Sequence, residues 1–283
     1  MPESLSSLAL WSAPEIPFAQ AEDLARMLGI PWIKTPPEQG PLLCLGEDRL
    51  EFRILGNSEL SGGLWVDFDS ATARRRSRQT SSELLIQAAK IRRVSHPLLI
   101  DATAGLGRDA LLLATHGFRV EMIEINPVVA ALLSDGLNRA SRLSHLRMVT
   151  ERIRLRSGNS VEIFTDLAEL PEVIYLDPMF PERSKSAKVK QNLRLLQYLD
   201  DRSIAPESLL QAALLVGAKK VVVKRPLKGP HLAGKVPSYS LKGKAVRFDI
   251  YVGSGRKGPL EQPVTNQDEQ GANKTFNGVA TQP

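Results

Sequence analysis

From residue 98 to residue 252 the chain alternates short, almost wholly apolar runs with longer stretches in which apolar residues recur every three or four positions. The short runs, Leu98-Leu99-Ile100, Arg119 to Ile125, Val173 to Leu176, Lys220 to Val223 and Ala245 to Val252, read as strands. The longer ones read as helices over Asp109 to Thr115, Pro127 to Arg139, where proline opens the helix, and Leu209 to Val216. A further helix, capped by Ser81 or Ser82 and running through Lys90, precedes Pro97. Alternation of this kind predicts an α/β fold, a mostly parallel sheet covered on both faces, with ligands taken at the carboxyl ends of its strands. No internal repeat of 20 to 50 residues is present.

The pattern differs at the two ends. A helix from Ala19 to Leu28, stopped by Gly29, is followed by short apolar runs, Leu42 to Leu45, Phe52 to Leu55 and Leu64 to Phe68, between Pro36-Pro37, Gly40-Pro41 and Gly62-Gly63. Residues 1–80 are therefore expected to form a small N-terminal α/β domain, and residues 81–253 the larger one. Residues 254–283 carry Gly, Asn, Gln and Pro with isolated apolar positions, too few to offset ordering entropy, and a disordered tail is expected there.

Composition narrows the class. At 283 residues, 42% hydrophobic and 24% charged, the chain has the make-up of an ordinary globular protein. Its longest nearly apolar stretch, Leu209 to Ala218, is broken by Gln211 and is far short of the roughly 18 to 20 residues that span a bilayer. The first residues lack a basic region followed by an uninterrupted apolar one, so no secretory leader and a cytoplasmic location are expected. Cys44 is alone and His96, His116, His145 and His231 are scattered, which disfavours a disulfide or a metal site. The net charge of +6 and pI near 9.5 point to a polyanionic partner, with clusters at Arg74-Arg75-Arg76, Lys90 to Arg93, Arg183 to Lys190, Lys219 to Arg225 and Lys242 to Lys244.

The chemistry concentrates in two strand-to-turn segments. Asp101-Ala102-Thr103-Ala104-Gly105-Leu106-Gly107-Arg108-Asp109 leaves a strand, turns through glycines and enters a helix, the layout of a cofactor cradle. Gly105, Gly107 and Ala110 also satisfy the dinucleotide spacing, with Glu124 nineteen residues beyond Gly105, so the glycines alone leave an NAD-linked oxidoreductase open. Asp101 tips the balance, because a carboxylate beside the cradle repels a pyrophosphate and attracts a cation. S-adenosylmethionine carries a sulfonium and an ammonium, and Glu124 can accept from both of its ribose hydroxyls. In the second segment, Asp177-Pro178-Met179-Phe180-Pro181 follows the strand ending at Leu176. The Asp177 carboxylate and Pro178 carbonyl can hold the two hydrogens of an exocyclic amine, and Phe180 can stack on the base.

The order of these segments, with Glu124 and Asn126-Pro127, Tyr175 to Pro181, Val221 to Pro226 and Arg247-Phe248-Asp249-Ile250-Tyr251, closely resembles the RsmJ family of small-subunit (16S) ribosomal RNA guanine-N2 methyltransferases over about residues 10 to 253. The resemblance implies a class I Rossmann-like S-adenosylmethionine-dependent methyltransferase fold. It also implies S-adenosylmethionine as donor, S-adenosylhomocysteine as product, and a guanine of small-subunit ribosomal RNA, free or in the small ribosomal subunit, as acceptor. Carried over by position, donor contacts fall on Arg108-Asp109, Glu124-Ile125, Asn159-Ser160 and Asp177. Ile125 and Asn159 depart from the Arg and Ser the family often carries there. Lys185, Lys188 and Lys190 fall in the family's basic loop and, with Lys224-Arg225, are assigned to RNA positioning. A monomer without metal or membrane contact is expected. Two other classes stay open: a noncatalytic RNA-binding ribosome-assembly factor, and a methyltransferase acting on another nucleic-acid amine or a small molecule.

Overall fold

The computed structural model describes residues 7–77, 83–178, 187–199 and 204–253, with backbone alone at 77 and 187–190. A four-stranded sheet is built from β1 (Ala9–Ser12), β2 (Trp32–Ile33), β3 (Gly40–Leu45) and β4 (Leu50–Leu55), in the order β2-β1-β3-β4, with helix α1 (Phe18–Leu28) connecting β1 to β2. Gly29 ends α1 in the left-handed conformation (φ 66°), as expected of a glycine stop. Leu64 to Phe68 departs from its strand reading: only Leu64 bridges to Phe52, and the segment then leaves the sheet. Leu64, Val66 and Phe68 are nonetheless buried, so their alternation reflects packing against neighbouring helices in place of a ladder.

After α2 (Ala71–Ser77) and α3 (Leu84–Ala89) come β5 (Leu98–Asp101), α4 (Arg108–Thr115), β6 (Arg119–Glu124), α5 (Pro127–Ser141), α6 (Ser144–Thr150) and β7 (Ile153–Ser157). They are followed by α7 (Ser160–Ile163), β8 (Val173–Leu176), α8 (Ala187–Leu199), α9 (Pro206–Leu215), β9 (Lys220–Pro226), β10 (Tyr239–Lys242) and β11 (Val246–Val252). Glu83 precedes α3 without a side-chain cap, and Ser81 and Ser82 lie outside the described residues. Asn126 caps α5, its side-chain oxygen accepting from Val128 and Val129 N–H ahead of Pro127.

The larger sheet has the order β10-β11-β9-β8-β5-β6-β7. Strands β5 to β9 pair in parallel, β11 pairs antiparallel with β9, and β10 antiparallel with β11, so β11 is the reversed strand of a Rossmann-like sheet. The order reverses between β5 and β8, where Asp101 lies opposite Tyr175, so a crevice opens there at the carboxyl ends. One apolar core joins the two sheets: Leu10, Leu43 and Phe52 of the small sheet belong to the same cluster as Leu99, Leu112 and Leu133. At its seam Gly136 of α5 has no room for a Cβ, which would lie 2.5 Å from Val66 Cγ1.

Candidate active site

The ends of β5 and β8 are tied directly together. Ala102 N–H donates to the Tyr175 carbonyl (3.0 Å), and Asp177 N–H donates to Thr103 Oγ1 (2.7 Å). The turn after Asp101 is tight, Gly107 N–H reaching the Ala104 carbonyl at 2.8 Å, and both glycines take positive φ, 52° at Gly105 and 68° at Gly107. Their roles differ. A Cβ on Gly105 would meet nothing nearer than the Thr103 carbonyl at 4.0 Å, so this glycine leaves the crevice open. A Cβ on Gly107 would lie 2.9 Å from Leu133 Cδ2 and Phe68 Cζ, so this one packs the cradle onto the core.

Glu124, at the end of β6, accepts Gly105 N–H on one carboxylate oxygen and Asn126 N–H on the other, each at 2.9 Å. It is 9% exposed and borders a cavity of about 310 Å³. Thr103, Gly105, Ile123, Ile125, Asp177 and Pro178 line the same cavity, and Val129, Leu196, Leu199, Ile204 and Leu209 supply its apolar walls. A space of this size, largely apolar and with a few convergent polar groups, is that of a small-molecule site. Asp101 lies beneath it, 1% exposed, accepting Thr103 N–H at 3.3 Å. Burial, and the negative charges of Asp109, Asp177 and Glu124, push its carboxyl well above the usual range.

Beside this cavity runs a chain of ion pairs. Arg76 is 2.6 Å from Asp109, Lys224 Nζ is 3.3 Å from Asp109 and 2.7 Å from Asp177, and the Tyr175 hydroxyl donates to Asp109 at 2.6 Å. Burial would raise the Asp109 carboxyl, but Lys224 and Arg76, with the Tyr175 hydrogen bond, hold it well below the usual range. Burial opposes charge on Lys224 as well, and Asp109 and Asp177 outweigh it, so its ammonium titrates above an ordinary lysine. Burial, then Asp109, raises the Tyr175 phenol well above its ordinary value.

The sequence-derived assignments divide accordingly. Gly105, Glu124, Ile125, Asp177 and Pro178 share one cavity. Asn159 caps α7, accepting Val161 N–H at 2.9 Å and donating to Glu162, while the Ser160 hydroxyl donates to the Ala102 carbonyl at 2.6 Å and so braces the cradle from behind. Arg108 faces a different cavity. Lys224 points into the site, and Arg225 is 4% exposed, its Nε donating to the Pro230 carbonyl, so neither stands on the outer surface. Met179, Phe180, Pro181, Lys185 and residues 254–283 lie outside the described residues, as do the side chains of Lys188 and Lys190. Thr103 and Tyr175 carry no role of their own in the sequence reading, and Arg76 stands there only in a basic cluster expected to meet a polyanion, whereas it pairs with Asp109.

A model of the family of SAM-dependent methyltransferases matches residues 27–253. The chain is 43% identical over 237 residues to a "Ribosomal RNA small subunit methyltransferase J" of Stutzerimonas stutzeri, covering 82% of this chain and 90% of that one. It is likewise 43% identical to the protein of that name from Tolumonas auensis, covering 83% and 93%. Among solved structures, a SAM-dependent methyltransferase from Neisseria gonorrhoeae superposes with a TM-score of 0.70 at 34% identity, over 90% of this chain and 99% of that one.

Proposed function

The chain belongs to the ribosomal RNA small subunit methyltransferase J family of SAM-dependent methyltransferases, and from that premise we propose that it methylates the exocyclic N2 amine of a guanine in 16S ribosomal RNA. The observation that carries the reading is the junction of the two strand ends, Thr103 Oγ1 to Asp177 N–H, which puts the donor-type cradle and the amine-type acceptors on one cavity.

The residues fit the donor. Glu124 borders the cavity with its carboxylate fixed by one backbone N–H on each oxygen, an acceptor of the kind that two ribose hydroxyls require. Ile123, Ile125, Val129 and Leu199 form an apolar slot for the adenine. Burial and the charges of Asp109, Asp177 and Glu124 disfavour the ionised form of Asp101 below the empty turn, and a cationic ligand offsets that repulsion and favours ionisation. S-adenosylmethionine, when bound, supplies an electrophilic methyl group.

On the acceptor side, Asp177 and the Pro178 carbonyl hold the hydrogens of the guanine amine and set the direction of its lone pair. The Asp177 carboxylate then stabilises the positive charge that grows on nitrogen. Lys224 is a positioning residue, fixing the Asp177 carboxylate through the 2.7 Å contact while Asp109 holds Lys224 from behind. No covalent enzyme intermediate is needed, and the work is placed in the cytoplasm with the RNA itself.

The test is transfer of labelled methyl from S-adenosylmethionine to free small-subunit RNA, assembled small subunits and DNA, followed by nucleoside analysis. Label in N2-methylguanosine is expected from the RNA substrates. Asp177→Ala should still bind S-adenosylhomocysteine, weakened at most by the one donor contact that the family resemblance gives Asp177, and transfer nothing. Label in an adenine or in DNA, or full turnover by Asp177→Ala, would refute the assignment.

A further inference from the structure

We propose that a second cavity, between residues 63–76 and the start of α4, receives the nucleotide adjoining the acceptor guanine, with its base in the cavity and its phosphate on Arg108. The inference rests on the reading of the chain as an RNA methyltransferase and adds the surface by which the RNA is held.

The cavity has a volume of about 260 Å³, close to the lower end of small-ligand sites (about 300–1,000 Å³) and suited to a single ring system. Trp65, Phe68, Leu106 and Leu111 supply apolar and aromatic walls, and Arg76 and Arg108 line it as well. It shares the glycine turn with the donor cavity: Gly105 borders one, Leu106 and Arg108 the other. The chain of contacts from Arg76 through Asp109 and Lys224 to Asp177 connects it to the acceptor site in three steps, of 2.6, 3.3 and 2.7 Å.

Charge identifies the occupant. Arg76 is neutralised by Asp109 and by Glu83, 3.4 Å away, whereas no carboxylate of the described residues lies within 4 Å of the Arg108 guanidinium. Asp67, the carboxylate that lines the cavity, turns one oxygen to its own loop, accepting Asp69 N–H at 2.9 Å. Arg108 is exposed where it lines the cavity, so its guanidinium is accessible to an anion arriving from solvent. An aromatic-walled space for one ring beside an exposed guanidinium with no described carboxylate in contact matches a nucleotide of single-stranded RNA, since aromatic contact is tolerant of base identity and guanidinium suits phosphate. The donor contact that the family resemblance implies for Arg108 is compatible with this placement, because the backbone N–H at the first position of α4 can make it and Arg108→Ala keeps that group.

The experiment measures binding of a fluorescent single-stranded RNA oligonucleotide by anisotropy across a salt series, and of S-adenosylhomocysteine by calorimetry, for wild type, Arg108→Ala, Arg108→Lys and Thr72→Trp at the cavity rim. Arg108→Ala is expected to weaken RNA binding about tenfold and to flatten the log–log salt slope by roughly 0.7, the increment for one phosphate on a single strand. Arg108→Lys should restore the slope, and Thr72→Trp should weaken RNA binding with the slope unchanged. S-adenosylhomocysteine affinity should stay within about twofold throughout, as no donor contact is lost. Wild-type RNA affinity and slope in Arg108→Ala would overturn the proposal, as would a loss of S-adenosylhomocysteine affinity in its place. If wild type methylates no RNA guanine, the functional reading fails on its own, and the anisotropy series still decides the cavity.

Discussion

Replacing Lys224 by Met keeps the length and apolar body of the side chain and removes the one charge shared by Asp109 and Asp177. At an effective dielectric of about 20, contacts of 2.7 and 3.3 Å are worth about 6 and 5 kcal/mol before desolvation is subtracted. Lys224 and Asp177 keep 24% and 31% of their side chains exposed, between the surface case, where a pair is worth about 0–1 kcal/mol, and the buried one, where stranding a partner costs about 3–5. Asp109 retains Arg76 and Tyr175, so the loss falls mainly on Asp177. A net destabilisation of about 2 kcal/mol follows, about 4–8 °C in Tm for a domain of this size. The kcat should fall by about ten- to hundredfold as Asp177 loses its fixed orientation, with S-adenosylhomocysteine affinity little changed. Because the folded Asp109 carboxyl titrates below its ordinary value of 3.8, its stabilisation is present above that pH and is lost as pH falls through the depressed folded value. The Lys224 contribution has the opposite sign: present below its ordinary 10.5, it is lost as pH rises through the raised folded value. Urea unfolding of wild type and Lys224→Met should therefore differ most between about pH 5 and pH 10 and converge at acid pH. Equal stability and equal turnover of the two proteins at pH 7 would refute this account of the ion-pair chain.

The two glycines of the cradle should separate by assay. Gly107→Ala meets strained backbone and a 2.9 Å approach to Leu133 and Phe68, so a loss of about 2–4 kcal/mol is expected in thermal or urea unfolding. Gly105→Ala meets strain in open space and should cost about 1–2 kcal/mol of stability, while calorimetry shows donor binding weakened at least about tenfold. Asp101→Asn keeps the acceptor for Thr103 N–H and removes a carboxylate whose raised pKa costs stability as pH rises from 3.8 through the folded value. The ligand-free variant should be more stable than wild type at pH 7 by about 1–2 kcal/mol. It should also lose affinity for cationic S-adenosylmethionine more than for neutral S-adenosylhomocysteine; equal losses would remove Asp101 from charge recognition.

The central strands were legible because β5 and β8 are buried on both faces and carry nearly unbroken apolar runs, while β6 alternates charge with Val120 and Met122 before Ile123, and Asn126-Pro127 announces the start of α5 by its capping chemistry. The sequence reading set no bounds for β7, whose Ile-Arg-Leu-Arg-Ser pattern sits at a sheet edge and is half polar. Leu64 to Phe68 has the alternation of a strand, and nothing local says that Val66 and Phe68 are used against Gly136 and Gly107. The same limit governed the cations. Lys224 and Arg225 are adjacent charges in a basic cluster, and their inward placement depends on Asp109, 115 residues before Lys224, and on a strand register that no short window contains. Asp177 and Glu124 were readable because each stands just after or at the end of a buried apolar strand, where side chains meet the crevice.

The insertion of Phe68 and Val66 against Gly107 and Gly136 makes the amino-terminal layer a wedge under the glycine turn. A fragment beginning at Leu84 would bare the backbone of α5 at Gly136 and the Leu133 side chain to water, and would remove the Phe68 ring that packs against Gly107. Transplanting the larger sheet alone onto another scaffold would thus carry the chemistry without the stiffness that shapes it, and a working minimal enzyme has to include the stretch through Arg76.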